Sequence, residues 1–241
     1  MTTRMDIISE TSLGHIPLKD EPVTSEPSSQ YLRVHFGQHT FDAEGSEQPG
    51  PYFSRRISWP GGPSSGVTIG RGYDMGFRTG LQIIRDLVRA GVPYADATVL
   101  SKAAGLRGRD AEAFARIHKP FSPIISLQAQ QRLFEQIATP EILADLKRIS
   151  SKPETVAAYG AVQWDALPTD VQEVVFDLRY RGDYTALTRQ RLQPILVKQD
   201  WRALTELMND SLYWKSLNVP LERIDLRARL SSQIPYGPTL Q

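Results

Sequence analysis

The sequence predicts a mainly α-helical fold with one small β-hairpin near its start. Apolar residues recur with a helical period from about residue 79 to residue 230, whereas strand-like sequence is confined to about residues 52–58 and 66–71. The segment Pro60–Gly66 between these strands is rich in glycine and proline, which is typical of a loop. With 241 residues, of which 40% are hydrophobic, the chain is long enough to bury one sizeable core.

The helical segments carry recognisable start and stop signals. Thr79 and Ser126 are typical N-cap residues, and Pro140 suits the first turn of a helix. Gly105 and Pro120 are typical terminators. The predicted helices cover about residues 79–91, 94–104, 109–118, 126–137, 140–149, 169–181, 185–197, 199–209 and 220–230.

Both ends of the sequence differ in composition from the part between them. Residues 1–30 are rich in Ser, Thr, Pro and acidic residues, which predicts a flexible N-terminal tail. Residues 231–241 hold two prolines and a glycine and are predicted to form a loose C-terminal tail. The folded domain is therefore expected to span residues 31–230.

The composition argues against several functional classes. The absence of cysteine excludes disulfides, thiolate catalysis and cysteine-ligated metals, and the four histidines have no metal-binding spacing, so no metal or cofactor is predicted. A net charge of +1 with dispersed Lys and Arg does not indicate nucleic-acid binding. No apolar run is long enough to span a membrane, and the N-terminus lacks the pattern of a signal peptide.

The segment Ser65–Gly76 (SGVTIGRGYDMG) is the strongest local signal of a functional site. Its glycines allow tight turns and close approach, and its centre favours a short strand that delivers polar groups to a cleft. Thr68 is either a residue that holds a water molecule or simply a β-branched strand former. Asp74 is either a turn or cap residue or a second carboxylate that faces Glu44.

Glu44 is the first candidate for chemistry. It ends the segment Thr40–Glu44, which is predicted to form one or two helical turns with Gly45 as a left-handed terminator. The negative end of the helix dipole and nearby apolar residues both disfavour ionisation, which suits a general acid. The alternative is a surface glutamate in a turn.

Aromatic and basic residues supply candidates for substrate contact. Trp59, with Tyr52 and Tyr73, offers faces on which sugars stack, although the tryptophan equally suits a role in pinning the hairpin to the core. Arg71 of the glycine-rich segment and Tyr180 are further candidates for substrate binding. The charged segment Asp177–Tyr184, which contains Tyr180, is predicted to line the opposite cleft wall or to form a salt-bridged helix end.

Two arginines of the last predicted helix lie on one face. Arg223 and Arg227 are four residues apart, so they are neighbours on the helix surface. They are expected to anchor an acidic partner, to bridge to the hairpin, or to form a solvated face.

The segment Thr68–Tyr73 (TIGRGY) resembles the hairpin strand of phage-type lysozymes. Together with Asp42–Gly45, Trp59–Gly62 and Ser65–Gly76, the pattern is similar to the pesticin-like branch, which includes bacteriocins and antibacterial effectors that cleave peptidoglycan. The likeness covers about residues 31–230. Phage lysozymes place an aspartate before the threonine, whereas residues 59–67 of this chain contain no acid.

This resemblance implies a lysozyme-like helical domain with the hairpin at its active cleft. It implies a muramidase in which Glu44 is the catalytic acid, while Thr68 and Asp74 position or activate a water molecule. Glu47 and Asp42 are alternative second carboxylates. Inversion of configuration is implied, for which the two carboxyl groups should be about 6.5–9.5 Å apart. The alternatives are a lytic transglycosylase that uses Glu44 alone and a non-catalytic peptidoglycan-binding module.

The same resemblance leads to expectations about partners and location. The partners are expected to be peptidoglycan glycan strands, a cognate immunity protein and a component of a secretion apparatus, with no nucleic acid and no membrane span. The protein is expected to be made in the cytoplasm without a signal peptide and to act on peptidoglycan in the periplasm of a target cell. Export by a specialised secretion system and release as a phage endolysin are both consistent with this.

Overall fold

The computed structural model describes residues 32–50 and 53–235, and within these ranges the chain is mainly helical with one two-stranded hairpin. The predicted fold class, mainly α with a small hairpin, is therefore confirmed. The predicted N-terminal tail (residues 1–30) and the predicted substrate-contact residue at position 52 lie outside the described residues.

The described chain forms twelve α-helices and two strands. In chain order these are α1 (Gln38–Ala43), β1 (Thr68–Ile69), β2 (Tyr73–Asp74), α2 (Gly80–Arg89), α3 (Tyr94–Leu100), α4 (Gly108–His118), α5 (Leu127–Leu133), α6 (Thr139–Ser150), α7 (Pro153–Tyr159), α8 (Thr169–Arg181), α9 (Ala186–Lys198), α10 (Trp201–Asn209), α11 (Ser211–Ser216) and α12 (Leu221–Ser232). Short 3₁₀-helices cover Ser101–Ala103, Lys119–Phe121 and Trp164–Ala166. A π-helical turn, Phe134–Ala138, joins α5 to α6.

The first hydrophobic cluster packs the hairpin against α2 to α5. The two strands are antiparallel, with Thr68 opposite Asp74 and Ile69 opposite Tyr73. Because side chains alternate across a strand, Ile69 and Tyr73 share the buried face. Thr68 and Asp74 therefore lie together on the partly exposed face.

The second hydrophobic cluster is built around α8 and includes residues of α6 and of α9 to α12. Val171, Val174 and Leu178 of α8 are fully buried, as expected from their helical spacing. They belong to the same cluster as Trp214 of α11, whose indole is 1% exposed.

A third cluster of aromatic rings joins the first two. Phe41 of α1 packs edge-on against Phe134 of the π-helical turn, with ring centroids 5.2 Å apart. Phe134 in turn contacts Phe176 of α8 in the same T-shaped arrangement, at 6.0 Å. Since aromatic rings bury a large apolar area, this contact seats the short helix α1 between the hairpin and the helical cluster.

The hairpin turn lies at a different place from the one predicted. The turn is Gly70–Gly72, where Gly70 (φ 65°) and Gly72 (φ 94°) take left-handed conformations that favour glycine. The predicted strand 52–58 forms only isolated bridges within the described residues, of which one pairs Ser58 with Thr68. Strands 52–58 and 66–71 therefore pair as predicted only at the antiparallel bridge between Ser58 and Thr68, and the regular hairpin pairs Thr68–Ile69 with Tyr73–Asp74.

The Pro60–Gly66 segment packs against the start of α4 instead of closing the hairpin. The amide of Gly108 donates to the carbonyl oxygen of Ser65 at 2.9 Å, and Gly66 forms an antiparallel bridge with Arg107. The segment is thus tied to α4 at its end.

The folded domain extends beyond residue 230. α12 continues to Ser232, where Ser231 is fully buried, and Ile234 is 1% exposed. The folded part therefore extends a few residues past the predicted boundary, because Ile234 belongs to the second hydrophobic cluster.

Gly66→Ala should destabilise the protein because the added Cβ would overlap the Asp74 carboxylate and the backbone of Gly76. We expect a loss of about 1–3 kcal/mol in the free energy of unfolding, measured by urea denaturation. The matched control is Gly50→Ala, where an added Cβ meets nothing within 4 Å. Equal stability of the two variants would contradict this account of the hairpin.

Candidate active site

Glu44 lies at the C-terminal end of α1, where this helix meets the hairpin. Its backbone amide donates to the carbonyl oxygen of Thr40 at 3.0 Å, so Glu44 closes the last helical turn. Its side chain is 22% exposed. The carboxyl group is therefore largely surrounded by protein and yet within reach of solvent.

Gly45, which follows Glu44, is required for close packing and not for a left-handed helix end. Gly45 does not have a left-handed backbone conformation, so its predicted role as a left-handed terminator is wrong. A Cβ at this position would clash with the hydroxyl of Ser54 and would lie 3.1 Å from Cγ of Arg71. Gly45 instead allows the chain to pass close to the hairpin.

The turn between β1 and β2 is held in place by a backbone hydrogen bond to Ser54 and by contacts of Arg71 with α1. The amide of Gly70 donates to the carbonyl oxygen of Ser54 at 2.7 Å. The Arg71 guanidinium donates to the carbonyl oxygen of Phe41 at 2.6 Å and stacks on the Phe41 ring at 4.3 Å. Since Glu44 follows α1 directly, the hairpin turn and Glu44 are neighbours.

Burial raises the pKa of the Glu44 carboxyl above its ordinary value. Arg223 opposes this shift, because its guanidinium contacts the Glu44 carboxylate and favours the charged form, while the negative charge of Asp177 adds to the rise. The net direction is upward, as predicted from the sequence, and its main cause is burial.

Asp177 of α8 fixes the position of Arg223, the arginine that contacts Glu44. It is fully buried, and its two carboxylate oxygens accept from Arg223 at 2.5 Å and from Nε of Arg227 at 2.7 Å. The Thr40 hydroxyl of α1 also donates to Asp177, at 3.0 Å. One carboxylate therefore ties α1, α8 and α12 together.

The network continues beyond Asp177. Arg227 pairs with Asp183 at 2.7 Å, and Asp183 also accepts from Arg181 at 2.5 Å. We call this set the ion network; its members are three carboxylates and three guanidinium groups, namely Glu44, Asp177, Asp183, Arg181, Arg223 and Arg227. When all six groups are ionised their charges cancel, so protonation of Glu44 leaves one positive charge uncompensated.

Thr68 lies in a row of polar side chains on the partly exposed face of the hairpin. Ser58 pairs with Thr68 on one side, and Asp74 pairs with it on the other. The Thr68 hydroxyl donates to the carbonyl oxygen of Ser58 at 3.2 Å and lies 3.2 Å from the Ser58 hydroxyl. The structure thus brings Thr68 and Asp74 together as direct neighbours.

Both carboxylate oxygens of Asp74 accept hydrogen bonds from backbone amides. Gly76 donates to Oδ1 at 2.7 Å, and Gly66 donates to Oδ2 at 3.1 Å. Asp74 therefore closes the open end of the hairpin, as its interpretation as a turn residue suggested. Its charge remains partly exposed on the same face as Thr68.

The other candidates for the second carboxylate have different surroundings. Glu47 is bound by Arg71 and Arg55, each at 3.1 Å, and by the side chain of Gln130. It therefore serves to hold the hairpin turn. Asp42 is exposed and accepts from Gln38 on the surface of α1.

Tyr73 is buried in the structure, which argues against its predicted role in substrate binding. The side chain is 1% exposed, and its hydroxyl donates to Asp86 at 3.0 Å while Arg78 stacks on the ring at 4.4 Å. Its position opposite Ile69 on the inner face of the hairpin explains this burial.

Arg71 and Tyr180 hold the hairpin turn to the helices. Arg71 is 6% exposed, and its guanidinium is engaged by α1 and by Glu47, which argues against its predicted role in substrate binding. Tyr180 is partly exposed, and its hydroxyl donates to the carbonyl oxygen of Arg71 at 2.5 Å. Burial raises the pKa of Tyr180 well above its ordinary value, with the charge of Glu44 acting in the same direction.

Trp59 is partly exposed, and its indole NH donates to the carbonyl oxygen of Ser65 at 3.3 Å. Its ring also packs against the first hydrophobic cluster. These contacts match the interpretation that the tryptophan pins this segment to the core, and they leave part of the ring exposed.

The ion network is what sequence reasoning missed. Arg223 and Arg227 were recognisable as neighbours on one helix face, and Asp177 interrupts the apolar face of α8 between Val174 and Leu178. A charged residue in such an apolar stripe signals a buried ionic partner. The connection to Glu44 has no local signal, because 179 residues separate Glu44 from Arg223.

Other features of the described residues lie apart from Glu44. Within residues 32–50 and 53–235, no group of His, Asp and Glu side chains is arranged to hold a metal ion. Among the helices that the structure describes, none combines the length and apolarity that crossing a membrane requires. A surface groove of about 530 Å³ lies between the end of α6 and residues 162–166, away from the ion network.

A family model described as a domain of unknown function (DUF8812) matches residues 37–228. The chain belongs to this family. The matched region begins one residue before α1 and ends within α12, so the DUF8812 domain contains Glu44, the hairpin and the whole ion network. No curated protein matches the sequence.

Asp177→Asn should strongly destabilise the DUF8812 domain, because Arg223 and Arg227 would remain buried beside a neutral amide. We expect a loss of about 3–5 kcal/mol in the free energy of unfolding, measured by chemical denaturation. The matched control is Asp170→Asn, an exposed change on the same helix, for which we expect a change within about 0.5 kcal/mol. Similar losses of stability in both variants would contradict the proposed structural role of Asp177.

Glu44→Gln should change how stability depends on pH. Because the native pKa of Glu44 is raised, the group stabilises the wild type below its unfolded pKa, and this contribution is lost as pH rises through the native pKa. Glutamine removes this dependence, so the variant should gain stability relative to wild type between about pH 4 and about pH 7. Unfolding free energies at both values test this, and a difference independent of pH would contradict it.

Proposed function

We propose that this protein is a peptidoglycan hydrolase, a muramidase that cleaves the β-1,4 bond between N-acetylmuramic acid and N-acetylglucosamine. The observation that carries the proposal is Glu44: a largely buried carboxyl group with a raised pKa, reachable from solvent, beside a fixed guanidinium. Such a group stays protonated at a pH where most carboxyl groups are charged, as a general acid requires. The similarity of TIGRGY to the hairpin strand of phage-type lysozymes supports the same assignment.

In this mechanism the proton of Glu44 passes to the glycosidic oxygen as the bond to the anomeric carbon breaks. The carboxylate that forms faces Arg223, and the ion network returns to zero net charge. Fixed charges that match the product of a proton transfer lower its barrier, because they need no reorganisation during the step. Arg223 therefore stabilises the charged state of the acid after transfer.

The second half of the reaction is assigned to the polar row of the hairpin. A water molecule held by Thr68 and Asp74 attacks the anomeric carbon and loses its proton to the Asp74 carboxylate. Two observations support this role: Thr68 and Asp74 are direct cross-strand neighbours, and both are partly exposed. Trp59 and Tyr180, which are also partly exposed, are the remaining candidates for contact with the sugar.

One observation favours a second candidate function, a lytic transglycosylase. Asp74 already accepts two backbone amides, and the Thr68 hydroxyl is engaged by Ser58. An enzyme that relies on Glu44 alone needs neither group to be free, since the muramic acid 6-hydroxyl replaces water as the nucleophile. The product then contains a 1,6-anhydro ring instead of a reducing end.

The proposed substrate also sets the place of action. A muramidase of this kind acts on glycan strands in the periplasm of a target cell, which it reaches as an exported effector or as an endolysin. An effector that attacks the wall of related cells requires a cognate immunity protein and contact with its secretion apparatus. These partners rest on the resemblance to antibacterial effectors.

The decisive variant is Glu44→Gln, assayed by release of soluble fragments from purified peptidoglycan. Loss of the general acid should lower the rate by at least about 100-fold. Glu154→Gln, an exposed change on α7, is the matched control and should leave the rate unchanged. Lysis by Glu44→Gln at the wild-type rate would refute the assignment.

Mass spectrometry of the fragments distinguishes the candidates. Hydrolysis yields reducing muramic acid ends, whereas the transglycosylase product is lighter by one water molecule. Binding without release of any fragment would instead identify a non-catalytic peptidoglycan-binding module.

A further inference from the structure

An aromatic ring and an arginine form an exposed pair at the open end of the hairpin. Phe77 follows β2 after two residues, and its side chain is 69% exposed. The guanidinium carbon of Arg107, which directly precedes α4, lies 4.8 Å from the centre of the Phe77 ring. We call these two side chains the Phe77–Arg107 platform.

Backbone contacts fix the platform to the hairpin. The amides of Gly66 and Gly76 both donate to the Asp74 carboxylate, and Gly66 also forms a bridge with Arg107. A Cβ on Gly76 would lie 2.8 Å from Cγ of Arg107, so glycine leaves room for the arginine to cross the hairpin. The position of the pair is therefore set by the same carboxylate that closes the hairpin.

The packing of the protein does not account for either side chain. A ring that is 69% exposed buries little apolar surface, so Phe77 contributes little to the core. Arg107 is also exposed, and in the described part of the chain it forms no ion pair with a carboxylate. Two side chains that are held in place and remain exposed are suited to binding a ligand outside the molecule.

The platform and Glu44 lie at opposite ends of the same hairpin. Glu44 is beside the Gly70–Gly72 turn, whereas Phe77 follows the open end. The four residue steps from Gly72 to Gly76 span at most about 13 Å, at about 3.3 Å per residue. A ligand on the platform therefore contacts the end of the hairpin away from a bond held at Glu44.

We propose that the Phe77–Arg107 platform is a remote binding subsite for the peptidoglycan strand. The free face of the Phe77 ring stacks on a sugar, and the Arg107 guanidinium binds a carboxylate of the peptide carried by a muramic acid. Charge decides for the peptide, because the lactyl carboxyl of muramic acid is bound in an amide in the intact strand and the peptide carries the free carboxylates. This subsite rests on the proposed function, since it is the same strand that Glu44 would cleave.

The experiment measures binding separately from cleavage. The full chain carrying Glu44→Gln is co-sedimented with insoluble peptidoglycan, either intact or with its peptide carboxylates converted to neutral amides by carbodiimide coupling. The chain should bind the intact material roughly tenfold more tightly, as expected for a charge-assisted hydrogen bond. Arg107→Ala should abolish this preference, and Phe77→Ser should weaken binding to both materials by roughly fivefold.

Matched variants separate the platform from general surface effects. Arg109→Ala removes another exposed arginine near the start of α4, and Phe121→Ser removes a phenylalanine that is 86% exposed elsewhere. Both should bind like the parent chain. The proposal is overturned if Arg107→Ala and Arg109→Ala behave alike, or if intact and amidated peptidoglycan bind the parent equally.

The binding experiment and the activity assay of Glu44→Gln can fail independently of each other. If the wild-type protein releases no fragments but Arg107→Ala still removes the preference for intact peptidoglycan, the proposed hydrolase activity fails and the subsite remains. If Glu44→Gln abolishes lysis while both platform variants bind like the parent, the proposed function remains and the subsite fails.

Discussion

The buried ion pair between Asp177 and Arg223 is the interaction on which the candidate site depends. It joins α8 to α12, and through Thr40 and Glu44 it extends to α1. Removing charges from water is expensive, so a buried pair of this kind adds little to stability over a well-packed apolar contact. Its value lies in geometry, because each group has one arrangement in which its partners are satisfied, and that arrangement places a guanidinium beside Glu44.

This geometry leaves Glu44 under opposing influences. Burial and Asp177 raise its pKa, while Arg223 lowers it, and burial prevails. A structural role would be better served by a neutral side chain, since an ionisable group in a largely buried position is a cost to folding. Groups kept in such an environment are characteristic of active sites, where stability is given up for reactivity. That reasoning separates Glu44, whose partner Arg223 is shared with Asp177, from Glu47, which is bound by two arginines and holds the hairpin turn.

The sequence was a good guide where local patterns determine structure and a poor one where distant residues meet. The periodic helices were predicted with boundaries close to those observed, because each buries one face, whereas the short helices α7 and α11 have too few turns to show a period. The predicted hairpin is present only as the bridge between Ser58 and Thr68, because the regular strand pairing closes at Gly70 and Gly72, although Pro60–Gly66 carries the stronger turn signal in the sequence. Glu44 and Asp74 were found from their glycine neighbours, but the partner of Glu44 lies on the last helix, and no local pattern connects them.

The two carboxylates identified from the sequence therefore perform different physical tasks. Glu44 faces a cation in a largely buried position, where a change in its charge is felt by the whole ion network. Asp74 accepts backbone amides on either side of the strand pair and fixes the open end of the hairpin. Because Thr68 is paired directly with Asp74, the same bonds that fix the hairpin also fix the polar face presented to solvent. The glycine-rich segment Ser65–Gly76 thus has a fixed conformation. Catalysis is proposed beside its turn, and binding of the glycan strand is proposed at its open end. Its glycines at 66 and 76 are required because Asp74 and Arg107 occupy the space that side chains would fill.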